Sequence, residues 1–325
     1  MKKVQSALHA PQFAPPEKIG IGFTYQSGLR PAVEAARGLI DFLVISPELL
    51  CRERADGDRR QFKLRKPLID DALSACDGRP AVVHGLELSI GTVEGWEDAC
   101  VDLIDEFARH YSFPWLSEHL SFMQTRDANG AVLYAGAPLP LPLTEAALDI
   151  VVPRARALGA RYGVPFLLEN VTHYLPDLPA DGGRDEITFL NDLTERSGCG
   201  LLLDLYNLYC NACNHGFDAE CALSRLRLDR VVEIHVAGGA THGGFMMDVH
   251  SDLVPEPVWD LLNWTVPRTQ NLAGITYELL EQAFPVLGID GVVSQLARAR
   301  QIWTKHLTTS AHAPEALSRQ ACHDA

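Results

Sequence analysis

Pro165-Phe166-Leu167-Leu168-Glu169-Asn170 is a short apolar run that stops on a carboxylate, and the chain repeats this design. Leu201 to Asp204 and Ala273 to Glu278 also end on carboxylates, Val231 to Val236 carries His235, and Ala81 to His84 and Trp115 to His119 end on histidines. Ile19 to Thr24 and Asp41 to Ser46 complete a set of eight runs. Each reads as a parallel strand buried on both faces. Helical patterns separate them. Trp96, Cys100, Leu103, Ile104, Phe107 and Tyr111 share a face after the candidate cap Thr92, and Thr144 precedes Leu148, Val151, Val152 and Leu158. Asp218 would cap Ala219 to Leu228, and Val292, Val293, Leu296, Ile302 and Trp303 mark a last helix. Eight β-α units predict an α/β protein with a single-domain (β/α)8 TIM barrel over 18–307, with functional residues gathered at the strand C-termini.

The bulk properties agree with one large core: 325 residues, 47% of them hydrophobic. A formal net charge of -14 disfavours nucleic acid or an anionic membrane as the partner. No stretch approaches the ~18 apolar residues of a membrane helix, and the first residues lack the apolar segment of a signal peptide. A cytoplasmic protein is expected. The eight cysteines, at 51, 76, 100, 199, 210, 213, 221 and 322, are too scattered for a disulfide scaffold, so reduced thiols are the expectation. The Pro-rich residues 1–17 and the tail 308–325 are expected to be mobile or lightly docked. The charge-dense segment Cys51 to Lys66 reads as a helix or a solvated loop, and Gly238 to Gly244 as a mobile loop over the site.

His84, His119, Glu169, Asp204, His235 and Glu278 would converge above the barrel axis, with Asp248 and His250 two residues apart and pointing the same way in an extended segment. A single buried His or Glu is more often a hydrogen-bonded core group than a ligand. Eight at corresponding positions are another matter, because uncompensated carboxylates in one cavity are costly to ionise. Mixed imidazole and carboxylate donors suit iron, manganese or zinc better than magnesium or calcium. Cys210-x-x-Cys213 with Cys221 lacks a second Cys pair, and packing is its simpler reading. His173 and His242 fall near the expected mouth, and Trp115 and Trp259 are expected to border the site.

Ser117-Glu118-His119-Leu120-Ser121-Phe122, Leu168-Glu169-Asn170, Leu203-Asp204-Leu205-Tyr206-Asn207, Asn214-His215-Gly216-Phe217, Glu233-Ile234-His235-Val236-Ala237-Gly238, Asp248-Val249-His250 and Thr276-Tyr277-Glu278 together resemble the multinuclear non-heme iron-dependent oxidative enzymes, a family that includes the methanobactin biosynthetic oxidase. The resemblance runs in order from about Ile19 to Trp303. It implies a (β/α)8 barrel with a mixed Fe(II)/Fe(III) cluster that uses dioxygen to modify residues, often cysteines, of a ribosomally made precursor peptide. On this resemblance the iron ligands are His84, His119, Glu169, Asp204, His235, Asp248, His250 and Glu278. Glu118, Asn170, Asn207 and His215 are further ligands or substrate contacts. A separate leader-binding partner protein is also implied. Many relatives carry His-x-Glu-Asn after the second strand, whereas this chain has Val44-Ile45-Ser46-Pro47-Glu48-Leu49.

The competing reading is a zinc or other divalent-metal hydrolase or isomerase of the endonuclease IV/xylose isomerase-like type, whose donor order is similar. The endonuclease pattern wants a histidine three residues after the aspartate, and here that position is Asn207. A non-catalytic peptide-binding barrel would leave the donor set without a purpose.

Overall fold

The computed structural model describes residues 13–56 and 59–309. Chain order runs β1 (Gly20–Thr24), α1 (Arg30–Ala35), β2 (Phe42–Ile45), the hairpin of β3 (Cys51–Asp56) and β4 (Arg59–Leu64), α2 (Lys66–Cys76), β5 (Ala81–Gly85), α3 (Asp98–Ala108) and β6 (Leu116–His119). The hairpin of β7 (Ser121–Arg126) and β8 (Val132–Pro140) follows, then α4 (Glu145–Tyr162), β9 (Phe166–Glu169), α5 (Glu186–Ser197), β10 (Gly200–Asp204), α6 (Leu205–His215) and α7 (Ala219–Arg225). The remainder is β11 (Val231–Val236), the hairpin of β12 (Ala240–His242) and β13 (Phe245–Met247), α8 (Glu256–Thr265), β14 (Gly274–Tyr277) and α9 (Phe284–Thr309). Strands β1, β14, β11, β10, β9, β6, β5 and β2 pair in that order as a closed parallel barrel. No helix among the described residues is long and apolar enough to cross a membrane.

Local chemistry sets the helix ends. Thr144, Asp185 and Asp218 each accept a backbone N–H in the first turn of α4, α5 and α7, and Gly163 and Gly198 end α4 and α5 in the left-handed region. Thr92 is not the cap of α3. Glu97 takes that role by accepting from Ala99 N, while Thr92 Oγ1 donates to the Gln124 carbonyl. The segment Cys51 to Lys66 is neither helix nor loop: the β3–β4 hairpin makes up most of it, and its many charged residues obscure the strand pattern. Gly238 to Gly244 contains β12, paired with β13. Residues 1–12 and 310–325 lie outside the described residues. From the expected tail, Thr308 and Thr309 belong to α9, and Phe13 and Ile19 pack beneath the barrel.

Barrel strands send alternate side chains to the axis. At the bottom these are apolar, with Phe42, Val82, Trp115, Leu167 and Leu202 forming a buried floor. Phe42 has room because β1 and β14 carry glycines opposite it. A Cβ on Gly22 would meet the Phe42 ring at 2.4 Å and Thr276 Oγ1 at 2.6 Å, and one on Gly274 would meet the ring at 2.6 Å. Gly22→Ala is therefore expected to destabilise the chain by about 1–3 kcal/mol through overpacking, read as a lower urea midpoint, with Phe42→Leu in the same chain recovering part of the loss. An unchanged midpoint in Gly22→Ala would mean the floor is not close-packed.

Candidate metal centre

Above the floor the inward positions become donors. His84 ends the inward row of β5, His119 that of β6, Glu169 that of β9, Asp204 that of β10 and His235 that of β11, with Glu278 just past β14. All six are buried or nearly so, His119 being the most exposed. Two groups of their ligand atoms fall together, each with all atoms within 4.8 Å of one another: His84, His119 and Glu169, and Glu169, Asp204, His235 and Glu278. Glu169 is common to both. His250 adjoins the second group, its Nε2 lying 3.5 Å from Glu278 Oε2 and 2.7 Å from Asp248 Oδ1. Thus the eight expected donors meet at one end of the barrel.

The neighbours fix which atom of each donor is free. Ser117 Oγ lies 3.0 Å from His84 Nδ1, so His84 turns Nε2 toward Glu169. Glu233 Oε1 lies 3.2 Å from His235 Nε2, which leaves His235 Nδ1 facing Glu278. Glu233 is itself held by Trp115 Nε1 at 2.7 Å and Thr276 Oγ1 at 2.6 Å. Asp204 caps α6, its Oδ1 accepting from Asn207 N, so only Oδ2 is uncommitted. Asn170 bonds the backbone of Asp204 through both ends of its amide, and the Asn207 amide donates to the Asn170 carbonyl and reaches Glu169 Oε1 at 3.5 Å. These two asparagines orient donors. His250 adopts a left-handed backbone at φ 42°, which costs a non-glycine residue about 1–2 kcal/mol.

Buried side-chain atoms without a hydrogen-bond partner gather here: Glu169 Oε2, Asp204 Oδ2, His235 Nδ1, Asp248 Oδ1 and His250 Nε2. Such atoms are costly unless something else satisfies them. A set of imidazole nitrogens and carboxylate oxygens left open toward one point fits bound cations, and its nitrogen share suits a transition metal.

The electrostatics agree. Burial, with His119 alongside, holds His84 well below its ordinary value, so its imidazole is neutral. Burial also opposes charge on His119, His235 and His250, but the carboxylates win. Glu169 and Glu118 raise His119 to about 9, Asp248 and Glu278 raise His250 to about 10, and Glu278 and Glu233 hold His235 well above its usual range. Burial lifts Glu169 to about 7 against the pull of His119 and His235, and burial with Glu169 lifts Asp204 far above the carboxylate range. Glu278 is driven down despite burial by His235 and His250. The metal-free site thus keeps protons where cations would sit.

Not every expected residue joins. Glu118 lies between the inward-facing Ser117 and His119 and so points to the other side of the sheet. Its Oε2 and Glu48 Oε1 close on Gly85, where an added Cβ would be 2.3 Å and 3.6 Å away. There, under α3, burial and then Glu118 push Glu48 to about 8. His215 stacks on His173 with ring centroids 4.1 Å apart, and its Nε2 contacts the His173 carbonyl. Of the cysteines, Cys210 is buried in α6 and Cys213 is exposed, and neither belongs to a donor group. Trp115 lies beneath the site, Trp259 sits in the helix layer under Arg298, and His242 is exposed on β12. Ser117 and Glu233 are the contributors that sequence reasoning missed. Both lie two residues before a donor on the same strand, hence on the same face, and that spacing was the available signal.

Two predictions follow from this geometry. Glu233→Gln keeps the shape but removes the charge behind His235, and should weaken metal binding about 10–100-fold in chelator competition; unaltered affinity would remove the orienting role. Metal binding should release protons, because His119 and His250 are charged in the free site at neutral pH. The free form holds more protons than the bound form, so affinity should rise with pH from 6 to 9 by about tenfold per pH unit for each proton displaced. Isothermal titration in buffers of differing ionisation heat checks this, and a flat pH response would contradict it.

A sequence profile of the RiPP precursor modification enzymes MbnB/TglH/ChrH matches residues 18–304. A UPF0276 protein of Anaeromyxobacter sp. (strain Fw109-5) is 36% identical over 189 residues, 58% of this chain and 64% of that protein, so the match spans just under two thirds of that relative. A UPF0276 protein of Caulobacter vibrioides (strain NA1000 / CB15N) is 30% identical over 281 residues, 85% of this chain and 92% of that one. Among solved structures, the IolI protein with a binding zinc atom superposes with a TM-score of 0.53 at 14% identity, covering 88% of this chain and 98% of that chain. A xylose isomerase-like TIM barrel protein from Mycobacterium smegmatis in complex with magnesium does so with 0.53 at 14%, covering 90% and 98%. At that identity these structures speak to the barrel fold alone. The chain belongs to the family of RiPP precursor modification enzymes MbnB/TglH/ChrH.

Proposed function

We propose that this chain is a dioxygen-dependent, multinuclear iron oxidase that modifies a residue, cysteine foremost, of a ribosomally synthesised precursor peptide. One observation carries the reading: Glu169 belongs to two adjoining donor groups, so two sets of candidate ligands share one buried carboxylate, as a multinuclear centre would need. The metal ligands of the proposal are His84, His119, Glu169, Asp204, His235, Asp248, His250 and Glu278. Iron bound there would supply Lewis acidity and one-electron chemistry toward dioxygen.

The protein's own part is positioning and exclusion. Ser117 and Glu233 fix the imidazole tautomers of His84 and His235. The hairpin that leads into Asp248 is tied down: Asn214 exchanges two hydrogen bonds with the Met246 backbone, Tyr206 Oη donates to the Met247 carbonyl and Tyr174 Oη accepts from Asp248 N. Below, the apolar floor keeps water from entering through the barrel. Asn207, where a hydrolase of the endonuclease type would place a histidine ligand, spends its amide on Glu169, Asn170 and Thr172, and this favours the oxidase. The reading extends to a reducing, cytoplasmic setting, in keeping with the free cysteines among the described residues, to a single catalytic domain over 18–307, and to a separate leader-binding protein.

Metal analysis and Mössbauer spectroscopy on anaerobically purified protein, followed by exposure to dioxygen, test the proposal. The expected result is coupled iron at more than one ion per chain, with a ferrous component that dioxygen oxidises. Stoichiometric zinc without iron, and activity indifferent to oxygen, would move the assignment to a hydrolase or isomerase.

A further inference from the structure

A cavity of about 650 Å³ opens away from the donors, between the β3–β4 and β7–β8 hairpins, with the start of α3 as its third wall. One strand edge meets it: β4 pairs only with β3, and Gln61 and Phe62 line that side. Gln124 and Thr125 line the other, where the outer edge of β7 is already taken by the segment 89–92, Met123 N donating to Ser89 Oγ and Thr92 Oγ1 to the Gln124 carbonyl. Strand edges offer main-chain donors and acceptors to an extended chain.

Its charge is mainly acidic. Glu94, Glu97, Asp98 and Asp102 line the cleft, and none of them makes an ion pair among the described residues. Of the two cations in the lining, Arg60 is engaged by Glu53 and Glu87, and Arg126, which donates to the Gly130 carbonyl, keeps its charge, so acidic groups outnumber the unpaired cation four to one. Trp96 adds an aromatic face on which a long basic side chain can lie.

The cleft and the donors share one stretch of chain. Gln124 follows His119 by five residues, at most roughly 17 Å of extended strand. We propose that this cleft holds an extended, lysine- or arginine-bearing segment of the precursor peptide, whose basic side chain lies within about five residues of the residue presented to the donor cluster. The proposal rests on the peptide-modifying reading and adds where, and by what chemistry, the peptide is gripped.

Fluorescence anisotropy under anaerobic conditions at low salt tests it on the full chain, with labelled alternating Lys/Ala, Gln/Ala and Glu/Ala decapeptides as probes. The Lys/Ala peptide should bind about tenfold tighter than the Gln/Ala peptide, and the Glu/Ala peptide should be weakest. Glu94→Lys with Asp102→Lys should weaken the Lys/Ala peptide about tenfold, whereas Glu220→Lys with Asp260→Lys, an equal change of net charge on α7 and α8, should stay within about twofold. Equal losses in the two double variants would assign binding to the bulk field and overturn the proposal, as would indifference to peptide charge. If the lysine pair fails to fold, Glu94→Gln with Asp102→Asn carries the same test. Iron content is read on the same samples. A chain without iron that keeps the cleft-dependent preference sinks the oxidase reading and leaves the cleft, and an iron-loaded chain without the preference does the reverse.

Discussion

Charge confined where water cannot follow is the condition to which the rest of this barrel answers. Glu169, Asp204 and Glu278 lie within a few ångströms of one another in an almost fully buried space. Carboxylates so placed persist only if they stay protonated, pair with imidazolium or hold cations. The free chain uses the first two devices, protons on Asp204 and Glu169 and charge on His235 and His250. Cations at the same point would replace those protons, which joins metal binding, proton release and stability in one equilibrium.

Precision at that point comes from residues that are not donors. Trp115 holds Glu233, Glu233 orients His235, and His235 faces Glu278. This chain climbs from the apolar floor to the donor layer through three neighbouring levels of the barrel. A disturbance at the floor, where Phe42 fills the volume left by Gly22 and Gly274, therefore reaches the donors by direct contact between packed groups.

The barrel was legible because apolar runs recur at each unit, and six of the eight carry a candidate donor at or near their C-terminal end; Asp248 and His250, outside those runs, were picked out by their own spacing of two. The hairpins were not. In β3–β4 the apolar alternation is confined to Phe62 and Leu64 at the end of β4, and the charged residues around them leave too short a pattern to announce a strand. Glu118 was grouped with His119 by proximity in sequence, yet strand alternation alone turns it to the opposite face. Glu233 and Ser117 were hidden for a related reason, each being one polar residue inside a run read as apolar. The cleft between the hairpins needs three segments to come together and has no signature in any one of them.

The donors do not ring the barrel. They come from β5, β6, β9, β10, β11 and the loop after it, and β14, while β1 and β2, neighbours in the closed sheet, contribute none. At the tops of those two strands Thr24 spends its hydroxyl on the Leu279 backbone and Glu48 faces Gly85 instead of the axis. The arrangement is a horseshoe with a contiguous gap, so a cation held there would be met by side-chain donors from one flank only, and the flank beside β1 and β2 would be the one left to an incoming small molecule.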